Sequence, residues 1–162
     1  MKPKTEGRTE KAIFAAGCFW HPEEIFDKTS GVISTRVGYT GGKMKNPTYA
    51  NVCSGATGHV EAVEVAFNPE KISYKELLEV FWNIHDPTTK NRQGPDVGSQ
   101  YNSAIFYMNE KQRKSALKSK SERQKRTDRK IVTMIKKAPK FWAAEEYHQK
   151  YMEKQGHGFF KF

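Results

Sequence analysis

The sequence predicts an α+β fold, a two-layer α/β sandwich built on one mixed sheet, and three observations lead to it. Segments with strand and helix patterning run as β-α-β, again as β-α-β, and then as a helix, a strand and a C-terminal helix. The strand-like runs are short and end at Gly, Asn or Pro, and two of the helix-like ones carry N-terminal caps. The 162 residues, with 10 Phe, 7 Tyr and 3 Trp, suffice for one substantial core, since about 70% of an unfolded chain's surface is buried at this size. One domain over residues 1–162 is expected, with 1–10 a flexible N-terminus, 11–152 the core and 153–162 a tail.

Residues 11–16 form a short apolar run, a buried strand, which Gly17 ends. A helix is expected from about Cys18 to Lys28, with Pro22 tolerated because it lies near the start. Residues 31–39 alternate, placing Ile33, Val37 and Tyr39 on one face and Arg36 on the other. Residues 40–58 are rich in Gly, Asn, Pro and Ser and read as a long loop; loops beyond about 12–15 residues are usually functional or disordered. Residues 59–67 form a strand ended by Asn68-Pro69, with His59, Glu61, Val63, Val65 and Phe67 on one face. Ser73 and Glu76 make a capping box for a helix that buries Leu77, Leu78, Phe81 and Trp82. An irregular stretch over 86–101 leads to a strand at 103–108. Asn109 then caps a helix to Asp128 whose apolar stripe is little more than Ala116 and Leu117. Residues 130–135 are the last strand, and 141–153 pattern as a helix. The first six elements follow the split βαβ, ferredoxin-like order, with both long excursions outside the sheet.

The formal charge of +10 is local: residues 111–140 hold 13 Lys/Arg against Glu122 and Asp128, and the remaining 132 residues are nearly neutral. No aromatic is interleaved in that stretch, so it lacks a stacking platform for bases. A solvated face is expected, with no nucleic acid as primary partner. No run approaches the roughly 18–20 apolar residues of a membrane helix, and residues 12–16 are too short for a signal segment. Two cysteines make no disulfide scaffold. A cytoplasmic monomer with reduced thiols, without membrane contact, is expected.

Cys18 is the sharpest chemical feature, because it sits where a strand and a glycine give way to a helix. Helix N-termini lower a thiol's pKa from about 8.5 toward roughly 3.5–7.5. The alternative is a structural cysteine in the core. Glu61 shares a strand face with Val63, Val65 and Phe67, and burial there would raise its pKa and keep it protonated as a proton donor. Phe19 and Trp20 follow the thiol and could wall a pocket for a small apolar group. Neither Cys18-x-x-His21 nor Cys53-x5-His59 has the usual form of a zinc site, and Glu145-x-x-His148 has no second copy, so neither a metal nor another cofactor is expected. A cysteine hydrolase with His59 or His148 as base stays open on spacing alone.

Gly17-Cys18-Phe19-Trp20 resembles the GCFW signature of the peptide methionine sulfoxide reductase A family. Gly38-Tyr39-Thr40-Gly41-Gly42 is similar to its GYxGG loop, and Pro47-Thr48-Tyr49 with residues 53–61 to the stretch that carries its essential acid. Residues 85–87, 92–101 and 144–149 resemble its later motifs, all in family order. The resemblance implies reduction of methionine-S-sulfoxide, free or in oxidised proteins, to methionine. It implies Cys18 as nucleophile, Glu61 as acid, and a sulfenic acid intermediate. It also implies Tyr49, Tyr101 and Asp96 at the sulfoxide oxygen and Phe19 and Trp20 around the S-methyl group. Many relatives carry a resolving cysteine near the C-terminus, whereas residues 155–162 contain none and Cys53 is the only other thiol. A single-cysteine cycle is therefore expected, with thioredoxin, glutaredoxin or a small thiol as external reductant.

Overall fold

The computed structural model describes residues 8–155, so parts of the expected N-terminal arm and of the tail lie outside the described residues. Strand β1 (Glu10–Ala16) is followed by helix α1 (Trp20–Asp27), β2 (Val32–Thr40), a short helix α2 (Tyr49–Cys53) and β3 (Val60–Phe67). Helix α3 (Tyr74–Asn83), a two-residue hairpin of β4 (Arg92–Gln93) and β5 (Asp96–Val97), and a 3-10 turn at Ser99–Tyr101 lead to β6 (Ser103–Tyr107). Helix α4 (Glu110–Gln124), β7 (Met134–Lys137), β8 (Trp142–Ala143), a 3-10 turn at Glu146–His148 and α5 (Tyr151–Lys154) complete the chain. Six strands form one sheet in the order β7-β6-β1-β3-β2-β8. All its pairs are antiparallel except β6 with β7. The central β6-β1-β3-β2 is the split βαβ arrangement read from the element order. No helix among the described residues is long and apolar enough to cross a membrane.

The alternation in β1 and β3 decides which side chains meet which layer. Ala12, Phe14 and Ala16 join Val63, Val65 and Phe67 beneath α1 and α3, where Phe26, Leu77, Leu78 and Phe81 are buried. Phe14 is the hub, its ring 5.2 Å from Phe26, 5.3 Å from Phe81 and 6.0 Å from Tyr74. The opposite face, with Ile13, Ala15, Val60, Ala62, Ala104 and Phe106, is closed by Met134, Ala138 and Phe141. Ser73 and Glu76 form the expected capping box of α3, and Asn109 caps α4 by accepting the Gln112 N–H at 2.9 Å.

Several boundaries differ from the sequence reading, each for a tertiary reason. The long loop contains α2, capped reciprocally by Thr48 and Asn51. A bulge in β2 between Val32 and Ser34 shifts the pattern, so Val32 rather than Ile33 packs on the core. In α4 the buried stripe is Gln112, Ala116 and Ser119, and Leu117 points outward at 44% exposure. The polar members of that stripe are paired: Gln112 donates to the Lys11 carbonyl at 2.9 Å, and Ser119 accepts from the Trp82 indole at 2.7 Å. The last full strand starts at Met134, because Ile131 and Val132 donate their N–H groups to Gln124 and Pro87 instead of to a strand. The helix expected over 141–153 does not form. Trp142 and Ala143 pair with Tyr39 and Gly38, and only Tyr151–Lys154 turns helical.

Replacing Phe14 by Ala removes the ring shared by three aromatic neighbours and is expected to cost about 3–5 kcal/mol. Urea denaturation should show this as a lower midpoint with an unchanged slope.

Candidate active site

The site grows from the end of β1. Gly17 has φ +90°, and a Cβ there would lie 2.7 Å from Cγ of Gln93. Gln93 cannot yield easily, since its amide accepts from the Asp86 N–H and donates to the Asp86 carbonyl, both at 2.8 Å. A glycine is thus required for the chain to leave the sheet sharply and bring Cys18 to the start of α1. Phe19 is the N-cap residue of that helix and offers no side-chain cap. Its backbone N–H donates to Oε1 of Glu61 at 3.1 Å, and the Trp20 N–H donates to the Cys18 sulfur. Two orphan amides of the helix end therefore hold the two candidate catalytic groups.

Glu61 lies on the face of β3 that carries Val63 and Val65, opposite Tyr39 of β2, and is only 1% exposed. Its Oε2 has no hydrogen-bond partner. Burial pushes the carboxyl from 4.5 up to about 7, against the lowering effect of the Phe19 N–H and with added repulsion from Asp96. A protonated carboxyl near neutrality is what the sequence reading expected.

The Cys18 thiol departs from expectation. Burial, opposed by the Trp20 N–H and reinforced by the charges of Glu61 and Asp96, pushes it up to about 12. One amide of a short helix is outweighed by desolvation and two carboxylates. The resting thiol is neutral.

The other predicted residues arrive from the two excursions. Asp96 on β5 acts electrostatically on Cys18, Glu61 and Tyr101. Tyr101 ends the 3-10 turn, and burial and Glu61 raise its hydroxyl to about 12. Tyr49 opens α2 and its hydroxyl is hydrogen-bonded to Cys53, which with burial raises it further. Cys53 is exposed and interacts electrostatically with Cys18. Phe19 is buried, its ring against Tyr39 at 5.7 Å and His148 at 5.2 Å, whereas Trp20 remains partly accessible and stacks on Tyr151 at 3.7 Å. The structure thus gathers Cys18, Glu61, Asp96, Tyr49 and Tyr101, with Trp20 and Phe19 alongside.

Residues 10–162 match the family model described as peptide methionine sulfoxide reductase. The chain belongs to that family. It is 58% identical over 149 residues to the peptide methionine sulfoxide reductase MsrA of Methanothermobacter thermautotrophicus, covering 91% of this chain and 88% of the relative. It is 56% identical over 154 residues to that of Methanococcus maripaludis strain C5, covering 95% and 98%. Among solved structures, reduced Mxr1 from Saccharomyces cerevisiae superposes with a TM-score of 0.88 at 36% identity, covering 97% of this chain and 91% of that one. Mxr1 in complex with Trx2 gives 0.65 at 25% identity, covering 93% and 89%.

The structure also engages residues that the sequence reading left outside its catalytic and substrate-binding assignments. Residues 145–150 form a strap in which Glu145 reaches β2 and α2, Gln149 reaches β2, and His148 and Lys150 reach α1. Glu145 accepts from the Tyr39 hydroxyl and the Tyr49 N–H, both at 2.8 Å. Burial opposes its charge, but these donors hold its carboxyl below the usual range. His148 accepts the Trp20 indole N–H at 3.0 Å on Nδ1, and the Tyr49 ring lies 4.5 Å away. Gln149 bridges the N–H and carbonyl of Val37, both at 2.9 Å. Lys150 donates its N–H at 2.8 Å to buried Glu23, which also accepts from Thr35. The available signal was the resemblance of residues 144–149 to a family motif, while the run patterned as part of a helix over 141–153.

The same bonds remove the hydrolase alternative. His59 accepts the Gly42 N–H on Nδ1 at 2.9 Å, so its Nε2 carries the proton that meets the Met44 carbonyl at 2.7 Å. The indole can only donate, so Nδ1 of His148 is the acceptor and Nε2 holds its proton. Neither histidine keeps a basic nitrogen for Cys18.

Because the native pKa of Glu61 is raised, its favourable contribution holds below pH 4.5 and is lost as pH rises through about 7. Glu61→Gln should match wild type in stability at pH 4 and exceed it by about 3 kcal/mol above pH 7, read from denaturation midpoints across pH. A stability gap independent of pH would contradict the raised pKa.

Proposed function

We propose that the chain reduces methionine-S-sulfoxide, free or in oxidised proteins, to methionine, with an external thiol as reductant. Family membership supports the reaction class. The observation that carries the assignment of roles is the buried carboxyl of Glu61, with one oxygen unpartnered, held on the same helix end as Cys18.

In the proposed reaction the Cys18 sulfur attacks the electrophilic sulfoxide sulfur while Glu61 gives its proton to the departing oxygen. The attack forms an S–S bond as the S–O bond breaks, and the oxygen leaves as water carrying the thiol's proton and that of Glu61. Water then adds to the Cys18 sulfur as the S–S bond breaks: methionine leaves with two more electrons on its sulfur, Cys18 loses two and becomes a sulfenic acid, and the released proton returns to Glu61. Tyr49, Tyr101 and Asp96 act around the departing oxygen, the tyrosines as neutral hydrogen-bond donors, a state their raised hydroxyls extend well above neutral pH. Trp20, with Phe19 packed beneath it, is the apolar wall for the S-methyl group. A neutral resting thiol also limits oxidation of Cys18 by other species, since the thiolate is the reactive form.

Regeneration follows from the thiols available. A reductant thiol attacks Cys18–SOH, releasing water and leaving a mixed disulfide. A second thiol then restores Cys18 and leaves with the disulfide. Trx2 in the Mxr1 complex supports a thioredoxin-type dithiol as that reductant, and we assign Cys53 no required part.

Cys18→Ser should abolish reduction of a blocked methionine sulfoxide, and the separated epimers should differ, only the S form turning over. Glu61→Gln keeps the hydrogen bond to Phe19 but has no acid proton, so single-turnover rates should fall about a hundredfold to ten-thousandfold. The pH profile is diagnostic. Thiolate increases up to about pH 12 while acid declines above about 7, so the wild-type rate should rise to about 7 and then level. The variant rate should keep rising. Equal turnover of both epimers, or a Glu61→Gln profile that also levels near 7, would overturn the assignment.

Cys53→Ser, which leaves Tyr49 a hydrogen-bonding neighbour, should sustain multiple turnovers with thioredoxin or dithiothreitol. Arrest after one turnover would instead make Cys53 the resolving thiol.

A further inference from the structure

The charge of residues 111–140 is divided by residue type. All four arginines are in ion pairs: Arg113 with Glu110 at 3.1 Å, Arg123 and Arg126 with Glu79 at 4.0 Å, and Arg129 with Asp86 at 3.0 Å. None of the nine lysines has a carboxylate within ion-pair distance among the described residues. Arg113 pairs within α4, Arg123, Arg126 and Arg129 fasten α4 and the segment after it to the α3 region, and the lysines supply the unneutralised field.

Part of that field lines a groove. An open depression of about 600 Å³ runs between α4 and residues 130–136, lined by apolar Leu117, Met134 and Ile135 and by Lys90, Lys130 and Lys136. These three lysines are exposed. Lys120, by contrast, is committed to the Thr133 carbonyl at 2.8 Å. Strand β7 is the outermost strand of the sheet, so one edge has no strand partner among the described residues. The groove is also tied to the site, since Asn102 and Ser103 line it directly after Tyr101. Ser103 pairs with Ala16, two residues before Cys18.

We propose that this groove is a docking surface for an extended acidic segment of an oxidised polypeptide substrate, whose sulfoxide occupies the Cys18 site while its flanking carboxylates meet Lys90, Lys130 and Lys136. This rests on the reading of the chain as a reductase of methionine sulfoxide in proteins. An extended chain fits a free strand edge beside apolar side chains, and acidity fits lining lysines that have no carboxylate partner. A single-stranded nucleic acid would need aromatic platforms, which residues 111–140 lack. A second copy would bring the same positive charge against itself. An unfolded segment is the form in which an oxidised methionine is most accessible, and it is the form a groove receives.

The test compares wild type with Lys90→Glu/Lys130→Glu/Lys136→Glu, three exposed positions outside the proposed catalytic groups. Substrates are a blocked methionine-S-sulfoxide, a sulfoxide peptide with neutral flanks, and the same peptide with Asp and Glu over about six residues on either side. Binding of the two peptides is followed separately by fluorescence anisotropy. Wild type should favour the acidic peptide about tenfold in kcat/KM and in affinity, with the advantage falling as salt rises. The triple variant should lose that advantage and turn over the blocked amino acid at the wild-type rate. No acidic preference in wild type, or one that survives in the variant, overturns the proposal. So does an equal slowing of all substrates at limiting thioredoxin, which would assign the surface to the reductant, or tight oligonucleotide binding without any peptide preference. Failure of wild type to reduce the blocked amino acid would count against the reductase reading alone, because the anisotropy arm still decides docking.

Discussion

The structure depends on how the first turn of α1 is satisfied. A helix end leaves amide protons without partners, and most helices supply a local side-chain cap. Here the Phe19 N–H goes to Glu61, 42 residues away in sequence, and the Trp20 N–H goes to the Cys18 sulfur. The same bonds that complete the helix fix the separation and orientation of thiol and acid. They also account for Gly17, because a thiol can sit before that turn only if the chain leaves β1 through a positive φ against Gln93.

The electrostatic balance follows from this placement. Glu61 is buried among apolar side chains and keeps one oxygen free, so its proton is retained to about neutral pH. Cys18 is raised by the same burial and by the neighbouring carboxylates. Local helix geometry favours a thiolate, and the pocket opposes it more strongly. The result is a site whose acid titrates near pH 7 and whose thiol is held in its neutral form.

Much of this was legible in the residues. The alternation through Glu61, Val63, Val65 and Phe67 placed the acid on the core face, and the split βαβ order fixed the central strands. The cap at Asn109 and the capping box at Ser73 marked helix starts to within a residue. What escaped was whatever depends on partners distant in sequence. Residues 141–153 carry a pattern compatible with a helix, but β2 has an edge open to Trp142 and Ala143, and Val37 has backbone groups that Gln149 completes. Leu117 pattern-matched a core position, while the real stripe uses Gln112 and Ser119, whose polarity is cancelled by specific acceptors and donors. The sequence showed the helix end that lowers the Cys18 pKa, but not the burial of the thiol, nor Glu61 and Asp96 beside it, which raise it.

The strap over 145–150 bears on when, during synthesis, the protein acquires its chemistry. Trp20 waits for a partner 128 residues downstream, and Tyr39 and Tyr49 wait for Glu145. Cys18, Glu61 and strands β1, β2 and β3 all lie well before these residues in the chain, so they are synthesised first. A chain at that stage has the thiol and the acid without the bonds that fix the aromatic wall. Competence arrives only with the last part of the chain, so an unfinished or C-terminally clipped molecule has the reactive atoms but not the enclosure that directs them.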